Sequence, residues 1–133
     1  VIYVLDTHAL VWFLQNNPKL GDRASALFDD PTTRFAVPTL VLCEIAHLAQ
    51  KGRLEKDLAK IIQHLRGDDR FEIISLDEAV VGCLPKGLDI LDIHDAVIVA
   101  TTLALGESHK EKTCLITRDG MIRDSKLVDV VWD

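Results

Sequence analysis

The sequence predicts an α/β fold with a central, mostly parallel β-sheet flanked by helices on both faces. Three observations point there. Short β-rich apolar runs alternate with segments of helical length along most of the chain. Asp6 and Asp119 each close such a run where the chain turns towards a helix, the edge at which open parallel sheets carry their sites. Pro and Gly fall singly between periodic segments, as punctuation inside one domain spanning residues 1–133, and no repeat, linker or low-complexity stretch interrupts them.

The elements follow in order. Val1 to Leu5 is a β-rich run closed by Asp6 and Thr7, and Ala9 to Leu14 continues as a helix that Asn16, Asn17 and Pro18 stop. Asp22 to Asp29 forms a second helix, and Phe35 to Val37 a short strand. Thr39 is placed to cap a helix from Leu40 to about Lys51, with Gly52 after its end. From Lys56 to Leu65, apolar residues at 58, 61, 62 and 65 trace one face of a helix. Phe71 to Leu76 reads as a strand, and Ser75 with Glu78 has the capping-box spacing before another helix. Asp92 caps a helix from about Ile93 to Leu105; Cys114 to Ile116 is a strand; a short helix starts after Asp119; Leu127 to Trp132 is the last strand.

Composition sets the broad class. The 133 residues are 48% hydrophobic, 27% charged and carry a net charge of -6, which suits one folded domain and excludes a disordered chain. Seven Gly and four Pro exclude a collagen-like chain. Cys43, Cys83 and Cys114 are odd in number and far apart, as expected of reduced thiols in the cytoplasm rather than a disulfide framework. No apolar run reaches the ~18 residues of a membrane span, and Asp6 and His8 interrupt the opening run before a signal-peptide core forms. The expectation is a cytoplasmic protein with no membrane association.

Four carboxylates sit where surface acids seldom do. Asp6 follows a strand, Glu44 interrupts an apolar helical segment, Asp95 precedes Ala-Val-Ile-Val-Ala, and Asp119 follows Leu115 to Arg118. Each has an ordinary reading. Asp6 and Asp119 suit helix caps, and Asp95 is a first-turn acid favoured by the helix dipole. Glu44 shares a face with Leu40, Val41 and Leu48, so it needs a buried salt bridge, or a helix rotated to turn it outward with Lys51.

Together they carry a stronger reading. If all four meet on one sheet edge, their repulsion calls for a divalent cation, and an all-oxygen set suits Mg2+ or Mn2+. His8, His47, His64, His94 and His109 have no zinc-ligand spacing; His8 and His94, beside the acids, fit surface or supporting roles. A cation so held can activate water, neutralise a phosphate and stabilise a leaving oxygen, the three needs of phosphodiester hydrolysis. No Gly-x-Ser-x-Gly elbow, Walker loop or Gly-x-Gly-x-x-Gly motif supports acyl-transfer or nucleotide-loop chemistry.

At these residues the chain resembles PIN-domain nucleases, specifically the VapC-type toxins of toxin–antitoxin pairs. The segments that carry the resemblance are LDTHALVWFL at 5–14, LCEIA at 42–46 with GRL at 52–54, DIHDAVIVAT at 92–101, LITRD at 115–119 and VVW at 130–132. It implies a single PIN-like domain. It also implies that Asp6, Glu44, Asp95 and Asp119 are the catalytic, metal-holding acids, with Thr7 and Thr117 as hydroxyl neighbours that hydrogen-bond the acids or coordinated water. The family's activity is Mg2+- or Mn2+-dependent endoribonuclease cleavage of RNA, leaving 5′-phosphate and 3′-hydroxyl ends, in homodimers silenced by a cognate antitoxin. Two departures stand out. Relatives commonly read Asp-Pro-x-Asp-Arg where this chain has Ala96 after Asp95, and often Trp where it has Cys43. The segment 107–113 is longer than the usual link and is expected to be a solvated loop.

An acidic pI near 5.3 makes local charge decisive for an RNA partner. Lys51, Arg53, Lys56 and Lys60 beside one motif, and Arg118, Arg123 and Lys126 beside another, either form a basic rim for RNA or are ordinary surface charges. At least one of Trp12 and Phe13 is expected in the core, leaving the other as a partner-subunit contact. The helical faces there and at 56–65 are candidates for dimer or antitoxin contact. Two alternatives stay open: a DNA or structure-specific nuclease on the same scaffold, and a non-catalytic partner-binding module. A phosphoacceptor receiver domain is disfavoured, since paired acids after the first strand are missing.

Overall fold

The computed structural model describes residues 1–86 and 90–133. Twelve elements follow one another among them: β1 (Ile2–Leu5), α1 (Thr7–Leu14), α2 (Asp22–Asp29), β2 (Arg34–Pro38), α3 (Thr39–Gln50), α4 (Leu58–Arg66), β3 (Phe71–Ile74), α5 (Glu78–Gly82), α6 (Ile93–His109), β4 (Thr113–Ile116), α7 (Gly120–Ser125) and β5 (Val130–Val131). The strands form one sheet in the order β3-β2-β1-β4-β5, and every pairing is parallel. From β1 the chain steps outward through β2 to β3, then crosses back to β4 and β5 on the other side. With right-handed crossovers, that reversal puts α1 to α4 on one face and α5 to α7 on the other. It also makes the gap between β1 and β4 the point where strand order reverses, the place for a site in an open parallel sheet. Leu5 pairs with Ile116, so Asp6 and Thr117 leave the sheet side by side.

The core accounts for the apolar runs. Val4 and Leu5 on β1, Ala36 and Val37 on β2, and Leu115 and Ile116 on β4 are all fully buried, as parallel strands covered on both faces require. Residues 96 to 102 of α6 are buried without a break, including the hydroxyls of Thr101 and Thr102, which donate to the carbonyls of Val97 and Ile98. Four Phe rings stack in series, Phe13 on Phe28 at 4.1 Å, Phe28 on Phe35 at 4.7 Å and Phe35 on Phe71 at 5.0 Å, tying α1 and α2 to the β2–β3 edge. At the far end, the Trp132 carbonyl accepts from Ala24 and abuts Gly21, where a Cβ would collide with it, so the C-terminal segment docks on the start of α2.

Several boundaries differ from the sequence reading. Thr39 does not cap α3; its hydroxyl accepts from the Leu76 N–H across the loop after β3. The cap of α5 is Asp77, bonded to the Val80 N–H, in place of Ser75. β3 stops at Ile74, and only Val130 and Val131 of the last run pair in the sheet. α6 runs four residues further, to His109, so half of the expected 107–113 loop is the helix's last turn, closed by Lys110 in the left-handed region. A hydrophobic run of helical spacing gave no sign of where that polar last turn would end. Gly52, at φ 71°, ends α3 as expected.

Candidate active site

The β1–β4 gap opens into a cleft of about 500 Å³ lined by Asp6, Thr7 and His8 from the start of α1, Glu44 from α3, Asp92, His94, Asp95 and Ile98 from α6, and Arg118, Asp119 and Gly120 after β4. The four acids singled out in the sequence, distant along the chain, are gathered there. The capping reading of two of them is also correct. Asp6 Oδ1 accepts from the Ala9 N–H at 2.8 Å, and Asp119 Oδ1 accepts from Met121 and Ile122. Capping uses one oxygen of each and fixes the carboxylate, so the two roles do not compete.

Thr117, 1% exposed, sits beside this pair. Its hydroxyl accepts from the Asp119 N–H at 3.1 Å and lies near enough to the Asp6 carboxylate to lower its pKa. Asp6 is itself 8% exposed, and burial raises its pKa; Thr117, the bond to Ala9 and the nearby His8 pull the other way, and Asp119 adds to the rise. Asp95 is pushed up to about 6, by desolvation first and then by the charges of Asp92, Asp119, Asp6 and Glu44. That set of like charges is the electrostatic record of the cluster.

Glu44 lies half-buried, and its Oε1 is shut off from solvent with no hydrogen-bond partner. No ion pair among the described residues involves it, so the salt-bridge reading fails. The Thr7 hydroxyl is likewise buried and unpartnered. Two orphaned oxygens in one acidic cleft lack a cation or donor.

The sequence reading missed Asp92 as a member. It caps α6, accepting from the Asp95 N–H at 2.8 Å, and also faces the cleft. Its spacing of three from Asp95 on one helix was the available signal. Of the candidate RNA-binding cations, only Arg118 lines the cleft. Arg53 borders a different hollow of about 590 Å³, with Leu14, Gln15, Leu54 and Lys56. Lys51 is exposed at the end of α3, and Arg123 reaches Asp124 at 3.2 Å. Ala96 is fully buried in the core.

Residues 3–126 match the family model described as the PIN domain. The chain belongs to the PIN domain family. PIN proteins are nucleases, and they typically use divalent metals. Solved structures share this PIN fold over almost the whole length. A chain of the VapBC2 complex of Rickettsia felis, bound to a DNA fragment from its promoter, is 20% identical with a TM-score of 0.70, covering 100% of both chains. A chain of VapBC-1 from nontypeable Haemophilus influenzae is 18% identical at 0.66, covering 98% of this chain and 97% of its own. One from a toxin–antitoxin complex of Klebsiella pneumoniae is 21% identical at 0.61, covering 97% and 95%. A search of curated proteins finds no match.

The PIN cleft fits a hard divalent ion. Five carboxylates line it beside His8 and His94, Glu44 holds one oxygen buried and unused, and among the described residues no lysine lines the cleft. Among the described residues no three His, Cys, Asp or Glu side chains form a ready-made metal cage.

Proposed function

We propose that this PIN protein is a Mg2+- or Mn2+-dependent endoribonuclease acting in the cytoplasm as the toxin of a VapBC-type pair. The observation that carries the reading is the convergence of Asp6, Glu44, Asp95 and Asp119 on one cleft, with a buried Glu44 oxygen that has no partner. These four would hold the metal. When bound, such an ion supplies Lewis acidity, activating water and offsetting charge on the phosphate.

The chain's own residues do the rest. Helix N–H groups lock Asp6 and Asp119, so the edge of the cleft needs little reorganisation when substrate arrives. Thr117 anchors the Asp119 backbone, and the free Thr7 hydroxyl can orient a water or a phosphate oxygen. Without metal, burial and the charges of Asp92, Asp119, Asp6 and Glu44 push Asp95 up to about 6, a repulsion that a bound cation would relieve.

RNA is the substrate in this reading because the segments that carry the resemblance, LDTHALVWFL at 5–14 and LITRD at 115–119 among them, are those of VapC-type toxins. An antitoxin partner is supported by the fold shared with chains of toxin–antitoxin complexes, and a homodimer belongs to the reading only through the family resemblance. The test is incubation of antitoxin-free protein with labelled structured RNAs and Mg2+ or Mn2+, beside EDTA and Asp95→Asn controls. Discrete cuts lost in both controls are expected. Cutting undiminished by Asp95→Asn would overturn the assignment, and a folded protein that binds RNA or antitoxin without cutting would point to a binding module.

A further inference from the structure

Arg118 is the one Lys or Arg that lines the acidic cleft among the described residues, yet it forms no ion pair with any of its carboxylates. Its guanidinium instead lies 4.8 Å from the centre of the Trp12 ring. Trp12 is held in turn by His8 at 5.4 Å and Trp132 at 5.9 Å, so the surface beneath the arginine is built from α1 and the C-terminal segment. Stacking engages the face of a guanidinium and leaves its in-plane N–H donors free, the arrangement that matches a phosphate. An exposed arginine beside five acids would ordinarily fold onto one of them.

We propose that Arg118, laid on Trp12, is the phosphate-binding arm of this cleft and takes a backbone phosphate of single-stranded RNA next to the bond that is cut. The assignment rests on the nuclease reading above. It supplies the positive contact that a cleft lined by Asp6, Glu44, Asp92, Asp95 and Asp119 otherwise lacks, and Trp12 keeps that contact from collapsing into the acids.

The test uses steady-state cleavage of a short single-stranded oligoribonucleotide with Mn2+, and binding of the same oligonucleotide to Asp95→Asn protein followed by tryptophan emission. The two tryptophans of the chain, Trp12 and Trp132, both belong to the cluster and report on it. Arg118→Ala should raise KM about tenfold with kcat changed less than about threefold, and should lower the salt slope of binding by about 0.7. Arg118→Lys should restore the slope and part of the KM. Trp12→Leu, checked for folding by its melting curve, should reproduce the KM rise. Lys112→Ala, at the opposite end of β4, removes the same charge and should do neither.

If Asp95→Asn abolishes cutting while Arg118→Ala leaves KM and slope unchanged, the arm is wrong and the nuclease stands. If Asp95→Asn cuts normally, the nuclease reading itself falls. A changed nucleotide preference at an unchanged salt slope would make Arg118 a base contact and overturn the phosphate assignment.

Discussion

The two ends of the parallel sheet treat their acids in opposite ways. Near the amino ends of the strands, acids have cations: Glu111 meets Arg34 at 2.8 Å, and Asp129 meets Lys112 at 3.7 Å. The Glu111 carboxyl is held below its ordinary value there. At the carboxyl ends five acids share a cleft and none has a salt bridge among the described residues. There Asp6 and Asp95 are shifted up instead. Unpaired acids crowded into a cleft with raised pKa values mark that edge as the candidate functional site.

The largest expected effect falls on activity. Asp95→Asn should lower the cleavage rate by about 10²-fold or more, whereas Glu111→Gln at the other end should leave it unchanged. A rate assay on both variants, with folding checked by circular dichroism, decides the matter. Equal losses would show that the two ends do not differ in function. Next in size is the response to metal. Mn2+ at a hundred times its dissociation constant should stabilise the folded state by about 2.7 kcal/mol at neutral pH, read as a rise in Tm that EDTA reverses. A Tm indifferent to Mn2+ would remove the cation from the argument.

Much of this contrast was legible in the sequence. Acids that interrupt apolar runs betray themselves, because burial of a charge needs a reason, and Asp6, Glu44, Asp95 and Asp119 all broke such runs. The strand-to-helix alternation likewise forecast the sheet and the edge on which Asp6 and Asp119 would sit, and the sheet proves wholly parallel. Asp92 escaped notice because capping alone explained it. The basic candidates divide for a different reason: proximity in sequence to a motif does not fix where a long side chain reaches, and Arg118 lines the cleft while Lys51, Arg53 and Arg123 do not. The role of Trp12 was also invisible, since its partners Trp132 and Arg118 come from beyond residue 117 and meet it only through the tertiary fold.

The third effect is one of pH on the metal-free protein. A carboxyl whose pKa is raised by folding costs stability when ionised, so the folded state gains as pH falls from 7 through about 6 and the gain is complete near the unfolded value of 3.8. Asp6 acts in the same direction. The lowered acids Glu111, Asp68 and Asp30 oppose this only further down, as pH drops below the ordinary carboxylate range. Tm measured in EDTA should therefore be higher at pH 5 than at pH 7. Asp95→Asn should raise the pH 7 value by roughly 2–4 °C, allowing for solvent screening of a half-buried group, and should flatten the profile. Saturating Mn2+ should flatten it too. A parent profile with no acid-side gain would mean that the cleft carboxylates do not repel one another in solution.

The smallest effect sharpens the comparison from the other end. Glu111→Gln removes a carboxylate that holds Arg34 at the surface, where ion pairs contribute little. The expected result is a small fall in Tm at pH 7, opposite in sign to that of Asp95→Asn, that fades as pH drops and the parent's own Glu111 takes up its proton. Both substitutions remove one negative charge from a protein of net charge -6, so a general relief of self-repulsion would move them in the same direction. Opposite signs would locate the cause in where each acid sits: one in a paired network, the other in a cleft that holds its charges apart for a cation.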